Sequence, residues 1–336
     1  MIILTLNPGS TSIKISLFKS YERIFHEDII GNLEQVEQKI KEKGYNFAEI
    51  DKFGIRVVHG GSFFTKPTKI TNESLAKLRE ISDLAPLHNP PALKIIEEIL
   101  AKKAGADIWA IFDTAFHATI PDKYALYALP INISRDFHIK KYGFHGTANQ
   151  SAMHLVENKI GAPVPAKTII CHLGGGASVT AVKNGKSIGN SMGFTPLEGL
   201  IMVSRSGDID AGVVEFLAGK MNLSVTEVLE ILNKKSGIWG LTGATNLAEV
   251  FENPAKKKEY ELAFEMYLDR VEKYIYAYIA RLEGLDCLIF SGGTGEHNKK
   301  IREKIITKLK KLGFKPEVQV IHIEEDKEIM RQVSSI

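Results

Sequence analysis

The sequence predicts an α/β protein of two domains, and three observations carry that expectation. Apolar runs of strand length alternate with amphipathic stretches of helical period through much of the chain. A unit made of an apolar run, a turn of small residues and a second apolar run occurs at the N-terminus and again mid-chain. The length of 336 residues is too great for one small core and suits two domains of ordinary size.

In chain order, Ile2 to Leu6 reads as a buried strand and Ile13 to Phe18 as a second with partial alternation, separated by Asn7-Pro8-Gly9-Ser10-Thr11-Ser12. Phe53 to Val58 is a third strand, ending in His59-Gly60-Gly61. Asn89-Pro90-Pro91 opens a helix whose apolar stripe is Leu93, Ile96 and Leu100. Ile108 to Phe112 is again strand-like. The mid-chain unit runs from Thr168 to His172, turns at Gly174-Gly175-Gly176 and continues from Ser178 to Val182. Leu268, Val271, Ile275, Ile279 and Leu282 lie at helical spacing and predict a core-facing helix. Cys287 to Ser291 is a late strand before Gly292-Gly293-Thr294-Gly295-Glu296, and a last helix begins near Glu324.

Composition excludes several classes. The chain has 44% hydrophobic and 25% charged residues, and 43 Lys and Arg against 40 Asp and Glu give a net charge of +3. That is too near neutrality to argue for a nucleic-acid or membrane surface, and the basic runs at 256–258 and 308–311 read as solvated helix faces. Cys171 and Cys287 each sit in an apolar run with no CxxC partner, as buried thiols do. The opening apolar run is too short for a secretory h-region, and no run approaches the roughly 18 apolar residues of a membrane span. A cytoplasmic protein is expected.

Three turns of small residues directly follow apolar strands: Asn7 to Ser12, Gly174 to Ser178 and Ser291 to Gly295. Any one alone is most simply a tight hairpin turn. Together they favour phosphate binding, because glycine lets consecutive backbone N–H groups approach an anion, and Ser10, Thr11, Ser12 and Lys14 add donors and charge. No turn is a Walker A loop or completes a GxGxxG fingerprint, which sets aside a dinucleotide oxidoreductase. Arg56 lies inside an apolar strand, where it either meets an acidic partner or binds a carboxylate or phosphate through both arms of its fork. Asp113 stands at a strand end, a place for a metal-binding or catalytic carboxylate or for a turn cap. His145 lies between aromatic residues and glycines, as structural histidines also do. Arg205, in Arg205-Ser206-Gly207-Asp208-Ile209-Asp210, either serves a ligand or forms a surface ion pair with Asp208 or Asp210.

Long, unusual segments resemble the acetate kinase family, in family order from residue 2 to about 331. They are Asn7-x-Gly9-Ser10-Thr11-Ser12-x-Lys14, Arg56-Val57-Val58-His59-Gly60-Gly61, Leu84-Ala85-Pro86-Leu87-His88-Asn89-Pro90-Pro91, Phe112-Asp113-Thr114-Ala115-Phe116-His117, Lys141-Tyr142-Gly143-Phe144-His145-Gly146-Thr147, Ser191-Met192-Gly193-Phe194-Thr195-Pro196-Leu197-Glu198-Gly199-Leu200 and Ser204 to Asp210. The resemblance implies the duplicated actin-like fold of sugar kinases, Hsp70 and actin, with an RNase H-like core. It implies one domain of residues 1–117 plus 328–336 on the acceptor side, and another of residues 118–327 for nucleotide binding and dimerisation. The implied activity is reversible, direct in-line phosphoryl transfer from ATP to acetate with Mg2+ (or Mn2+), in a homodimer and with no nucleic acid or membrane partner.

By the same resemblance, Arg56 and Arg205 would hold the acceptor carboxylate and the transferring phosphoryl group, and His145 would stabilise its equatorial oxygens. Asp113 and Glu325 would organise the metal and its waters, with Asn7 beside Glu325. Asn7, Ser10, Ser12 and Lys14 would line the phosphate path; His172, Gly174, Gly176, Gly293 and Gly295 would lie along the nucleotide phosphates. Val58, Leu87, Phe144 and Pro196 would shape the acid pocket. The chain departs from the family at Gly175 (usually Asn), Asn149 (usually His) and Ile55 (usually His), and Glu324-Glu325-Asp326 replaces Asn-Glu-Glu. It is also shorter than typical members between Phe18 and Asp51. Butyrate-kinase-like residues in the first two phosphate turns keep propionate and butyrate as alternative acids, and the lost Asn and His keep a catalytically weak nucleotide-binding protein as a rival of another class.

Overall fold

The computed structural model describes residues 1–9, 12–86 and 88–336, and no helix among them is long and apolar enough to cross a membrane. The described residues form two compact units. One comprises Met1–Ala118, Phe144–Ser151 and Glu324–Ile336; the other comprises Thr119–Gly143 and Ala152–Ile323.

The first unit is built on a six-stranded sheet of β1 (Ile2–Pro8), β2 (Ser12–Lys19), β3 (Glu22–Ile30), β4 (Lys52–Val57), β5 (Thr68–Lys69) and β6 (Asp107–Phe112), in the order β3-β2-β1-β4-β6-β5. β1, β2 and β3 form an antiparallel meander, and β1, β4 and β6 run parallel. The β2–β3 turn puts Ser20 (φ 51°) and Tyr21 (φ 72°) in the left-handed region, as a two-residue hairpin with the twist of its strands requires. β3 has no counterpart among the strands expected from sequence, because much of it is exposed and charged and its buried hydrophobics are Phe25 and Ile29.

One face of this sheet is covered by the helices Leu33–Glu42, Asn72–Glu80 and Asn89–Lys102, which bury Val36, Ile40, Leu78, Ile96 and Ile99 against Leu4, Leu6, Phe53 and Ile55. The other face carries the C-terminal helix Glu325–Ser334. There Ile329, Met330 and Val333 close on Ile3, Phe18 and Ile111.

The second unit has a five-stranded sheet of β7 (Lys167–Leu173), β8 (Ala177–Lys183), β9 (Lys186–Asn190), β10 (Cys287–Ser291) and β11 (Glu317–Val320), in the order β11-β10-β7-β8-β9. β7, β8 and β9 repeat the antiparallel meander, joined by an Asn184-Gly185 turn, and β7, β10 and β11 repeat the parallel set. Apart from β5, the two sheets share one topology, so the recurring strand–turn–strand unit in the sequence marks a duplicated plan. Lys258–Leu282 packs on β7 and β8 and buries Leu268, Val271, Ile275, Ile279 and Leu282. Cys171 and Cys287 are both free and buried, and burial raises the pKa of each thiol.

The third small-residue turn takes another form. Gly292 (φ 75°) reverses the chain after β10, and Gly292–His297 is a short helix. A Cβ at Gly292 would lie 2.6 Å from the Leu173 carbonyl oxygen, so glycine is required for both conformation and space.

The C-terminal helix sits close enough to β4 that a Cβ on Gly54 would lie 2.7 Å from Ile329 Cγ2 and 2.9 Å from Val333 Cγ2. Both contacts are branched methyls with little freedom to withdraw. Gly54→Ala is expected to destabilise the protein by about 1–3 kcal/mol through overpacking, read as a lowered midpoint of denaturant unfolding. An unchanged midpoint contradicts this account of how the helix is seated.

Candidate active site

The parallel strands β1, β4 and β6 end side by side, and their C-terminal ends bring together Asn7, Arg56 and Asp113. Arg56 Nε donates to Asp113 Oδ1 at 3.0 Å and Oδ2 at 3.2 Å, and Nη2 donates to Oδ2 at 2.5 Å. Nη1 donates to Asn7 Oδ1 at 3.0 Å, while Asn7 Nδ2 donates to Glu325 Oε2 at 3.2 Å. Glu325 Oε2 lies 3.8 Å from Arg56 Nη1. Thr147 Oγ1 donates to Asp113 Oδ1 at 2.8 Å.

Of the two readings of Arg56, the acidic partner is therefore present. Asp113 accepts a two-armed guanidinium in preference to capping a turn. Its side chain is 1% exposed and that of Arg56 17%. Burial would lower the Arg56 pKa, but the charges of Asp113 and Glu325 and the hydrogen bonds that Arg56 donates to Asp113 outweigh it and raise the pKa. Arg56 stays charged, and two of its five N–H donors remain after the three groups bonded here.

The segment Phe144 to Thr147 lies over this cluster. A Cβ on Gly146 would come 2.0 Å from the Asp113 carbonyl oxygen, so only glycine permits the approach that brings Thr147 to Asp113. His145, between them, has φ 59°, an uncommon conformation for a residue with a side chain, and its carbonyl receives the Asn149 N–H at 2.9 Å. Phe144 is buried, with its ring edge-on to His59 at 5.5 Å. His59 Nδ1 accepts from Gly61 N at 2.9 Å, and its backbone is held on both sides by the Asn89 amide. Val58 is half-buried beside it. Leu87, Ser10 and Thr11 lie outside the described residues. Ser12 is half-buried, and Lys14 is exposed opposite Asn7 across the β1–β2 pair.

In the second unit, the turn after β7 and the helix after β10 converge. Gly293 N lies 3.8 Å from a Cβ built on Gly174, and Gly293 itself faces open space. Gly174 N donates to Gly176 O at 3.1 Å, and His172 Nδ1 lies 3.1 Å from Ser291 Oγ at the strand ends. Gly295 packs close to β7.

Arg205 sits in a turn braced by Gly237 (φ 63°), where a Cβ would meet Met202 O at 2.3 Å and Arg205 O at 2.7 Å. Its guanidinium reaches the Pro196 carbonyl at 3.4 Å and Met202 Sδ at 3.6 Å, and among the described residues no carboxylate lies within 4.0 Å. The surface ion pair allowed by the sequence is absent. Asp208 is occupied by Lys273, Tyr274 and Gly199 N, and Asp210 caps the helix Ala211–Met221. Burial lowers the Arg205 pKa, with no nearby anion among the described residues to offset it.

A profile of the Acetokinase family matches residues 19–330. The chain belongs to that family. It is 40% identical to an acetate kinase of Mycoplasma genitalium, over 93% of this chain and 86% of the relative, and 39% identical to one of Anoxybacillus flavithermus, over 93% and 87%. Among solved structures it is similar to a propionate kinase from Francisella tularensis (TM-score 0.92, 32% identity, 100% and 99% of the two chains). It is also similar to the acetate kinase of Porphyromonas gingivalis (TM-score 0.91, 31% identity, 100% and 99%). A Listeria monocytogenes protein named as a candidate N-acetylmannosamine kinase shares the fold at TM-score 0.51 and 11% identity, over 100% and 99%. The fold is the actin-like ATPase fold, and the chain is a phosphotransferase with a carboxyl acceptor, of a family whose phosphoryl donor is ATP.

Two residues that the sequence reading left without roles belong to this cluster. Thr147 bonds Asp113 directly. His117, buried at 3% exposure, has Nε2 2.8 Å from the Phe144 carbonyl oxygen and so donates to it. Burial pushes its pKa down to about 4, against a weaker upward pull from that hydrogen bond and from Asp113. The unfolded chain binds a proton here near pH 6.5 and the folded chain does not, so this contribution to stability is complete above pH 6.5. It is lost as pH falls towards 4, about 3 kcal/mol in all. His117→Gln is expected to flatten the pH dependence of the unfolding free energy in that window. An identical slope in the variant contradicts the assignment.

Proposed function

We propose that this enzyme transfers the γ-phosphoryl group of ATP to acetate, reversibly and in line, giving acetyl phosphate and ADP. The observation that carries the reading is Arg205: a largely buried guanidinium in a rigid turn, with no carboxylate partner within reach among the described residues. Such a group is stabilised by an anionic ligand, and a phosphoryl group or a carboxylate matches its fork. The acetate kinases among its relatives support acetate as the acid.

Each unit has its own part. In the first, Arg56 is fixed by Asp113 with two donors left for an anion, while Val58 and Phe144 offer apolar surface to a short acyl chain. His145 adds a donor for equatorial phosphoryl oxygens. Asn7, Ser12 and Lys14 line the phosphate path. In the second unit, the exposed Gly175 and Gly293 of the two strand-end turns, with His172, offer the nucleotide phosphates a close approach to the backbone, and Pro196 flanks Arg205. An acetate ion is already deprotonated at neutral pH, so no general base is needed, and positioning with charge neutralisation suffices.

The donor set of the first unit fits Mg2+. Asp113 and Glu325 bring two negative charges against one from Arg56, a net of −1 on hard oxygen ligands. No group of three or more His, Cys, Asp or Glu side chains forms a cage among the described residues. That suits an ion that keeps its waters and shares the substrate's phosphates. Glu325 and Asn7 would hold it and Asp113 would orient its waters. When bound, the ion neutralises charge on the transferring phosphoryl group.

Propionate is the second acid to test, since a similar structure is that of a propionate kinase. One methylene changes binding by only about 1–3 kcal/mol. With ATP, Mg2+ and hydroxylamine, the protein is expected to form acyl hydroxamate from acetate. No product from acetate, propionate or butyrate overturns the proposal. Arg205→Ala and Arg56→Ala are each expected to slow turnover by about 10²-fold or more, and near-normal rates refute their roles.

We also propose a homodimer. The helix Ala211–Met221 is mostly apolar yet has no buried residue, and Phe216 (61% exposed), Met221 (53%) and Val225 (58%) form an apolar surface with Leu229. Light scattering should give about twice the 37.2 kDa chain mass, and Phe216→Glu should halve it. A monomeric wild type contradicts the assignment.

A further inference from the structure

Glu325 is the first residue of the C-terminal helix, and its neighbours on both sides are gripped by one arginine. Arg23 Nη2 lies 3.1 Å from Glu324 Oε1, and Arg23 Nη1 donates to Asp326 Oδ2 at 2.9 Å. Ser16 Oγ donates to the same Asp326 oxygen at 2.7 Å. The single hydroxyl proton of Ser16 is thereby used, so His26 Nδ1, 2.7 Å from Ser16 Oγ, is the donor in that contact. Glu324 makes no side-chain cap to its own helix; its Oε1 faces Arg23, while Oε2 pairs with Lys327 at 2.9 Å.

Strand parity explains why this arrangement needs a special backbone. Arg23 and His26 are three residues apart on β3, and an unbroken strand would turn them to opposite faces. The β2–β3 register shifts between Leu17 and Phe18: Leu17 pairs with Phe25 and Phe18 with Arg23, so Ile24 is the extra residue of a β-bulge. The bulge turns Arg23 onto the face of Ser16, His26 and Phe18. That is the face on which Phe18 packs against Ile329 and Met330 of the C-terminal helix. Asn7, which bonds Glu325, lies on β1, and Ile3 of the same strand packs against the same helix.

We propose that Arg23 is a positioning residue that sets the Glu325 carboxylate against Asn7 and Arg56, with Ser16 as its second anchor on Asp326. The inference rests on the reading of Glu325 as a metal-organising residue. This chain's Glu324-Glu325-Asp326 provides a carboxylate on each side of Glu325 for Arg23 to hold. Without Arg23 the start of the helix keeps its apolar packing through Ile329, Met330 and Val333, but Glu325 loses the restraint on its direction.

The test is Mn2+ titrated into the protein with saturating ADP, followed by the free-ion electron paramagnetic resonance signal, alongside steady-state kinetics and thermal unfolding. Arg23→Ala is expected to weaken Mn2+ binding by about tenfold or more, the usual effect of removing an outer-shell partner. The KM for acetate should stay within about twofold, since Arg23 touches none of the acid-pocket residues, and Arg23→Lys should recover part of the loss. In a Glu325→Ala background, Arg23→Ala should add nothing, because both changes act through one carboxylate. Ser16→Ala, a smaller perturbation, should give a smaller shift of the same sign and serves where Arg23→Ala does not fold. Wild-type Mn2+ affinity in Arg23→Ala, or additive losses in the double variant, overturns the positioning role while leaving Glu325 in place. Wild-type affinity in Glu325→Ala removes Glu325 from the metal and takes this inference with it.

Discussion

The buried pair of Arg56 and Asp113 organises the first unit. Arg56 rises from β4 and Asp113 follows β6, and the guanidinium also holds Asn7 on β1 and lies near Glu325 on the C-terminal helix. Four elements therefore meet at one charged group. Removing either member of such a pair leaves an uncompensated buried charge, which is far more costly than the net worth of the pair. The neighbouring features follow from that constraint. Gly146 lacks a side chain so that the next segment can approach Asp113, and Thr147 satisfies a carboxylate oxygen that Arg56 alone would leave short of donors.

The duplicated sheet explains why functional groups fall where they do. In each unit, a central strand pairs antiparallel with the next strand and parallel with one later strand, on which another parallel strand adds. The turn after that central strand and the ends of the parallel strands point the same way, the usual position for ligands on such sheets. In the first unit these ends carry charged side chains. In the second they carry glycines, which on the proposed reading would let phosphates approach the backbone without a choice among nucleotides. One plan has thus acquired two chemistries through the residues at its strand ends.

Much of this was legible in the sequence, for identifiable reasons. The buried strands announce themselves as apolar runs, and the glycines that follow them are demanded by local geometry, so both signals are short-range. Arg56 stands out in the sequence because charge inside a strand is costly, and Asp113 stands out separately at a strand end, but no local pattern joins two residues 57 apart. β3 escaped because charged residues dominate its exposed face. The clamp of Arg23 on Glu324 and Asp326 was beyond reach: its members lie some 300 positions apart, and the bulge that aims Arg23 breaks the alternation by which strand faces are read. His117 carries no such signal, because a histidine in an aromatic segment gives no sign of burial; its packing under Phe144 is what lowers its pKa and favours the neutral ring.

The two arginines that the sequence treated alike prove to be electrostatic opposites. Arg56 has its counterions built in, and its pKa is raised; Arg205 has carbonyl and thioether neighbours and no carboxylate within reach among the described residues, and its pKa is lowered. A guanidinium already neutralised gains little further energy from an incoming anion and is best suited to fixed orientation. One left without a counterion, in a turn that the contacts of Gly207 and Gly237 prevent from relaxing, gains most when negative charge arrives. On the proposed reading, Arg205 would be the group whose stabilisation grows with the charge on the transferring phosphoryl group, and Arg56 the group that keeps its surroundings in register. Exchanging their environments, even with both residues retained, would put the fixed charge pair where charge must develop and the unmet charge where order is needed.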